Sequence, residues 1–200
     1  MKNVTVYVHG KGGSAKEAKY YRKFFNEDCD IIGFDYKSEK PWDAKIEFIN
    51  YFDSIIPQYN KTILIANSIG AYFSLLSLAN KKIEKAMLIS PIVNMERLIL
   101  DMMLLANVSE EELSIKKEIE TSFGETLSWE YLSYVRGNPI SWNIPTEILY
   151  GKKDNMISIS TMTDFFKKIN AHITTMSDGE HWFHTKEQMC FLDNWIKSNI

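Results

Sequence analysis

Short, nearly unbroken apolar runs recur along this chain, separated by longer segments with helical spacing. Residues 4–8 (Val4-Thr5-Val6-Tyr7-Val8) read as a strand, and 62–66 (Thr62-Ile63-Leu64-Ile65-Ala66) have almost no polar face. Strands read this way when both faces of their sheet are covered, because a sheet with one wet face alternates. Runs at 30–35, 86–89, 146–150 and 172–176 continue the series. Between them the spacing predicts helices over about 15–25, from Pro41 and Asp43 onward, and over about 70–80, 160–169 and 186–198. In the second helix Ile46, Ile49, Phe52 and Ile56 share a face. Strands alternating with helices imply an α/β fold, a three-layer α/β/α sandwich with a parallel sheet.

Residues 92–142 interrupt the rhythm and read as helical throughout. Ser109-Glu110-Glu111-Glu112 has the form of a capping box, with Val108 and Leu113 at hydrophobic-staple positions and Gly124 as a stop. A further helix is expected over about 128–136, ending at Gly137-Asn138-Pro139. Sheet sequence flanks this stretch on both sides. The expectation is therefore one domain, residues 1–200, with an inserted helical cap at about 92–142. Its 200 residues are enough to bury a real core.

Composition narrows the function. A net charge of -3 supplies no basic field for nucleic acid or acidic membranes. No stretch approaches the ~20 apolar residues of a membrane span. The first residues do not read as a signal segment either. Two cysteines, Cys29 and Cys190, are too few for a disulfide framework or a cysteine-based zinc site. A cytoplasmic protein with two reduced thiols is expected.

Three strand ends carry candidate chemistry. Ser68, in Ala66-Asn67-Ser68-Ile69-Gly70, sits on a strand-to-helix turn with small residues two positions either side. Such a turn exposes a nucleophile, although a helix-capping serine has the same look. Asp154, in Gly151-Lys152-Lys153-Asp154, follows the run at 146–150. It suits either a ligand-facing acid or a turn. His181 follows Gly179 in a loop after the last strand and can reach the serine as a base. His184 precedes Thr185-Lys186-Glu187, which opens the last helix, and suits capping or packing, while His9 and His172 read as structural. The order Ser68, Asp154, His181 gives nucleophile, acid and base converging through topology. No ligand set for a metal accompanies His181 and His184, and neither metal nor cofactor is expected.

The glycine-rich run His9-Gly10-Lys11-Gly12-Gly13-Ser14 offers backbone N–H groups that can complete an oxyanion hole with Ile69. It lacks the Walker spacing, and the dinucleotide fingerprint fails because Ala15 stands three after Gly12.

On His9-Gly10, Ala66-Asn67-Ser68-Ile69-Gly70, Gly151-Lys152-Lys153-Asp154 and Gly179-Glu180-His181-Trp182-Phe183, the sequence resembles an α/β-hydrolase over essentially its whole length. Ala66 stands where glycine is common. The resemblance implies a triad of Ser68, His181 and Asp154, oxyanion donors at the Lys11 and Ile69 backbone, and a cap at 92–142. It also implies that the chain begins at the family's third strand. The sheet would be six-stranded and parallel, in the order 2-1-3-4-5-6, with the site at the 1/3 switch point.

The activity expected is hydrolysis of small or medium apolar carboxylic esters, a small-molecule substrate, through an acyl-enzyme. Thioester, amide or lactone hydrolysis uses the same triad, and a hydrolase-fold binding protein is the non-catalytic alternative. Met95, Met102 and Trp182 are candidates to line the substrate pocket, against the plainer reading that the methionines only pack. The cap holds nine acidic and four basic residues, which disfavours highly anionic acyl carriers if they face the entrance. The oligomeric state is not legible.

Overall fold

The computed structural model describes all 200 residues. Six parallel strands form the central sheet: β1 (Asn3–Val8), β2 (Cys29–Phe34), β3 (Thr62–Asn67), β4 (Lys85–Ile89), β7 (Thr146–Gly151) and β8 (Ala171–Met176). Their order across the sheet is β2-β1-β3-β4-β7-β8. This is the expected 2-1-3-4-5-6 arrangement, with its switch between β1 and β3.

The apolar runs divide their side chains strictly between the two faces, as the two-residue period of a strand requires. On one face Val4, Val6, Val8, Leu64, Ala66, Ala86, Leu88, Ile148 and Tyr150 join the larger apolar cluster. Helices α2 (Pro41–Ile55), α3 (Ser68–Ser77) and α7 (Ile159–Phe166) cover it, through residues such as Phe48, Phe73 and Phe165. On the other face Tyr7, Ile65, Met87, Ile89 and Leu149 meet α1 (Ala18–Tyr21) and α8 (Lys186–Asn199), with Tyr21, Leu192 and Trp195 at the contact. No helix is long and apolar enough to cross a membrane. Cys29 is buried, Cys190 is exposed, and both are free thiols.

Two local expectations need correction. The segment over 15–25 is not one helix. It runs as a 3-10 turn at Ala15–Glu17, the single turn α1, and a second 3-10 turn at Arg22–Phe24. Apolar spacing over so few residues does not separate these forms.

The stretch over 92–142 is likewise not helical throughout. Helices α4 (Met95–Leu105), α5 (Glu110–Lys116) and α6 (Trp129–Gly137) are present, but an antiparallel hairpin of β5 (Glu118–Glu120) and β6 (Thr126–Ser128) separates the last two. Gly124 is not a helix stop. Its φ of 85° belongs to the hairpin turn, where its N–H donates to Thr121 O. Helix α5 instead ends at Lys117, whose φ is 68°.

Ser109 caps α5 as the sequence predicts, its hydroxyl accepting from the Glu112 N–H at 3.1 Å, and Leu113 is fully buried. Arg136 of α6 ties the helices together. Its guanidinium donates to Glu96 of α4 at 2.6 Å and to both carboxylate oxygens of Glu110 at 2.7 and 2.8 Å. Those bonds hold Glu110 below its ordinary value of 4.5. A carboxyl lowered in the folded state contributes fully above that ordinary value and loses its contribution as pH falls through the lowered one. Amide exchange in α5, corrected for intrinsic rates, is therefore expected to accelerate under acid well below 4.5. Arg136→Ala should raise exchange at neutral pH and remove that acid dependence.

Candidate active site

Ser68 is held in a conformation that side chains avoid. Its φ is 51°, in the left-handed region, directly after the extended Asn67 that ends β3. Such a residue costs about 1–3 kcal/mol and persists only where its surroundings enforce it. Here the enforcing contact is Gly70. A Cβ at that position would lie 2.2 Å from the His9 carbonyl oxygen and 2.9 Å from Val8 Cγ1. Only glycine lets the first turn of α3 rest on the end of β1. Ser68 O in turn accepts from Ile92 N–H at 3.3 Å, which fixes the start of the insertion against the turn.

His181 and Asp154 come from neighbouring loops locked onto each other. Gly151, ending β7, faces Gly179 in the loop after β8, and a Cβ on Gly151 would lie 2.4 Å from Gly179 backbone atoms. Two backbone bonds close the contact: Lys152 N–H to Met176 O at 2.9 Å and Lys153 N–H to Gly179 O at 2.8 Å. A Lys153–Asp178 ion pair spans the same loops on the surface, and holds the Asp178 carboxyl below its ordinary value. The loop that carries His181 is thus fastened to the one that carries Asp154.

The side chains form a continuous relay. Asp154 Oδ1 accepts from the N–H groups of Met156 at 2.8 Å and Ile157 at 3.0 Å, which fixes the carboxylate. Its Oδ2 accepts from His181 Nδ1–H at 2.7 Å. A carboxylate only accepts, so the imidazole proton sits on Nδ1 and leaves Nε2 as an acceptor. Ser68 Oγ–H donates to that Nε2 at 2.8 Å. The Asp154 side chain is fully buried and that of His181 is 14% exposed, so the pair is shielded while the serine end stays accessible.

The glycine-rich loop after β1 faces the same turn, with a Cβ at Gly10 lying 3.2 Å from Ser68 Cβ. Lys11 N–H has no hydrogen-bond partner within the protein. Ile69, second residue of α3, has a first-turn N–H that helix geometry leaves free. Glu17 holds the loop in place, through contacts that the glycine-rich run alone does not reveal. Glu17 accepts from Ser14 N–H at 2.9 Å and from the Tyr7 hydroxyl at 2.6 Å. Burial pushes the Tyr7 hydroxyl far above its ordinary pKa, so it remains a donor. The Ser14-to-Glu17 spacing was a readable signal; the long-range Tyr7 partner was not. At the loop's tip Lys11 pairs with Glu125 of the hairpin at 2.5 Å.

The remaining candidates lie apart from this relay. Met95 is buried in the larger cluster and Met102 packs against it. Trp182 is 70% exposed and stacks on the His184 ring. His184 Nδ1 donates to Trp182 O, and its N–H donates to Gln188 in α8. His172 is exposed beside Glu147. His9 is buried beneath Tyr36, its ring stacked at 4.4 Å. No three His, Cys, Asp or Glu side chains gather as a metal site would require.

No family model and no curated protein matches the chain. Solved structures do. Alpha/beta hydrolase domain-containing protein 10 from mouse superposes with a TM-score of 0.75 at 15% identity, over 98% of this chain and 90% of that one. Est1E from Butyrivibrio proteoclasticus, solved with ferulic acid bound, gives 0.75 at 12% identity over 98% and 87%. The epoxide hydrolase of Bacillus megaterium gives 0.65 at 13% identity over 100% and 94%. With its six-stranded parallel sheet and flanking helices, the chain has the α/β-hydrolase fold.

The Gly151–Gly179 contact makes a direct prediction. Gly151→Ala is expected to force the loops apart, lowering the melting temperature and removing amide-exchange protection at Lys152 and Lys153. Gly137→Ala is the control. No atom lies within 4 Å of a Cβ there, and alanine in a helix is neutral to stabilising.

Proposed function

We propose that this protein is a serine hydrolase acting on carboxylic esters with small or medium apolar acyl groups. The observation that carries this reading is the unbroken chain Ser68 Oγ–His181 Nε2 at 2.8 Å and His181 Nδ1–Asp154 Oδ2 at 2.7 Å. A hydroxyl bonded to an imidazole that a carboxylate orients is the arrangement that makes serine nucleophilic. Ser68 Oγ attacks the ester carbonyl carbon while His181 Nε2 takes the hydroxyl proton. The carbonyl oxygen gains the negative charge, which the N–H groups of Lys11 and Ile69 stabilise. The carbon–oxygen bond to the alcohol then breaks, and His181 returns the proton to the departing oxygen. Water, deprotonated by the same imidazole, attacks the acyl carbon; the bond from that carbon to Ser68 Oγ breaks, His181 returns the proton to Oγ, and the carboxylic acid leaves.

Several neighbours in fold are hydrolases by name, and Est1E binds ferulic acid, a carboxylic acid as an ester hydrolase would release. The segment over 92–142 acts as a cap in this reading, within a single domain. Its nine acidic and four basic residues would disfavour polyanionic thioesters where they face the entrance, whereas a solvated outer face leaves the acyl carrier undetermined. Thioesters, amides and lactones remain within reach of the same chemistry, and matched acyl esters and thioesters assayed side by side separate them.

The deciding experiment is covalent labelling with a fluorophosphonate probe. Wild-type protein is expected to label at one site, and Ser68→Ala to abolish the label. His181→Ala and Asp154→Ala should each cut the rate by on the order of 10³-fold or more while the fold is retained by circular dichroism. A folded wild-type protein that does not label would overturn the assignment and leave a hydrolase-fold binding protein.

A further inference from the structure

In the serine-hydrolase reading, the glycine-rich loop supplies one oxyanion donor, the Lys11 N–H. Gly10, Gly12 and Gly13 around it offer no side chain to aim it. Gly13 N–H donates to Gly10 O at 3.1 Å and closes a tight turn. Gly12 has a φ of 75° there, as the third residue of a type II turn requires. The other tethers of the loop end elsewhere, Glu17 on the Ser14 N–H and Glu125 on the Lys11 ammonium.

His9 is the side chain that reaches the peptide itself. Its Nδ1–H donates to Gly10 O at 2.9 Å. That oxygen belongs to the Gly10–Lys11 peptide, whose N–H is the donor in question. No peptide bond in the chain is cis, and a trans peptide is planar, with its C=O and N–H on opposite sides. Holding the oxygen from one side therefore directs the N–H to the other. Bonds accepted at a carbonyl also polarise the amide and strengthen its N–H as a donor.

The imidazole is itself held. His9 is only 9% exposed, and its ring stacks on that of Tyr36 with centroids 4.4 Å apart and planes 15° apart. The Tyr36 hydroxyl, which burial keeps protonated, donates to His9 O at 3.0 Å. A carbonyl only accepts, so the imidazole proton sits on Nδ1. Nε2 has no partner within the protein that would compete for the orientation of the ring. The backbone of His9 meets the other donor's element. A Cβ at Gly70, the residue after Ile69, would lie 2.2 Å from His9 O.

Resting on the serine-hydrolase reading, we infer that His9 is a positioning residue for the oxyanion hole, its Nδ1–H aiming the Lys11 N–H through Gly10 O. One residue then touches both halves of the hole. Its side chain sets the Lys11 peptide, and its carbonyl lies against the helical turn that carries the Ile69 N–H. His9 does not touch the substrate. Its effect falls on the charged intermediate, because the two N–H groups bond most strongly to an oxygen that has gained negative charge.

Two substitutions separate the donor from the ring. Phenylalanine keeps a ring to stack on Tyr36 and removes the donor. Asparagine removes the ring and carries an amide N–H at a position close to that of Nδ1. With p-nitrophenyl butyrate as substrate, His9→Phe is expected to lower kcat at least about tenfold and to change KM less than about threefold. His9→Asn should exceed His9→Phe in kcat by about fivefold or more, a rescue by the donor alone. A histidine that only packs gives the reverse order, because phenylalanine preserves the stack.

A kcat for His9→Phe within about twofold of wild type, or not below that of His9→Asn, would overturn the inference. Nitrogen NMR of isotope-labelled histidine in the wild-type protein tests the same bond and needs no variant to fold. The His9 proton is expected on Nδ1, and a proton on Nε2 alone would overturn the inference. Fluorophosphonate labelling of Ser68 decides the underlying reading separately. A protein that labels while His9→Phe turns over like wild type keeps the function and loses the positioning role. A folded wild-type protein that does not label loses both.

Discussion

The contact between Gly70 and the His9 carbonyl sets the geometry on which the candidate site depends. With 2.2 Å between a Cβ at Gly70 and that oxygen, any side chain would lift α3 from the end of β1. The left-handed turn at Ser68 would then lose its support, and the glycine-rich loop would lose its place beside the hydroxyl. The close approach also draws in the next strand. Ser90, directly after β4, has a φ of 43° and donates its N–H to Leu149 O, while Ile92 N–H reaches back to Ser68 O. Two strained serines thus follow two adjacent central strands. The surrounding packing carries that strain, as it does where backbone conformation is set by function.

The second half of the site is built by a different device. Ser68 is placed by a helix pressed on a strand, whereas Asp154 and His181 are placed by two loops pressed on each other. Gly151 and Gly179 permit the approach, and two backbone hydrogen bonds fix its register. A side chain at either glycine would separate the loops by more than the hydrogen bond at 2.7 Å tolerates. The relay can therefore be short without any covalent or metal constraint, because each member is positioned by backbone rather than by its own side-chain packing.

Much of this was legible in the sequence, for a physical reason. Strands buried on both faces leave an apolar signature, and Ser68 and Asp154 lie close beyond two of them, while His181 follows the half-exposed edge strand β8. A parallel sheet brings such positions to a common edge whatever their separation along the chain. The hairpin was not legible. Glu118-Ile119-Glu120 and Thr126-Leu127-Ser128 are three-residue strands, too short for alternation to stand out between helices. Nor could Gly124 be assigned, since a helix stop and a hairpin turn both call for glycine at positive φ. Contacts such as Tyr7–Glu17 and Gly151–Gly179 depend on three-dimensional register, which no local pattern encodes. Met95 and Met102 show a related ambiguity, because an apolar helix face looks the same whether it packs or lines a pocket.

Charge and aromaticity are partitioned in the finished structure. The acidic side chains of the insertion are partly consumed internally, by Arg136 with Glu96 and Glu110 and by the i,i+4 pairs Arg97–Asp101 and Lys116–Glu112. One crosses to the core, where Glu125 meets Lys11 at the loop beside Ser68. These exposed pairs are worth little individually and are weakened by salt. The aromatic contacts are different. Trp42 against Tyr131 and Tyr134 packs the segment over 92–142 on the core through partly buried rings, a contact between uncharged groups that does not depend on ionic strength as the ion pairs do. The segment over 92–142 is also joined to the core through buried aliphatic side chains such as Leu98, Met103, Leu113 and Leu132, which salt does not reach.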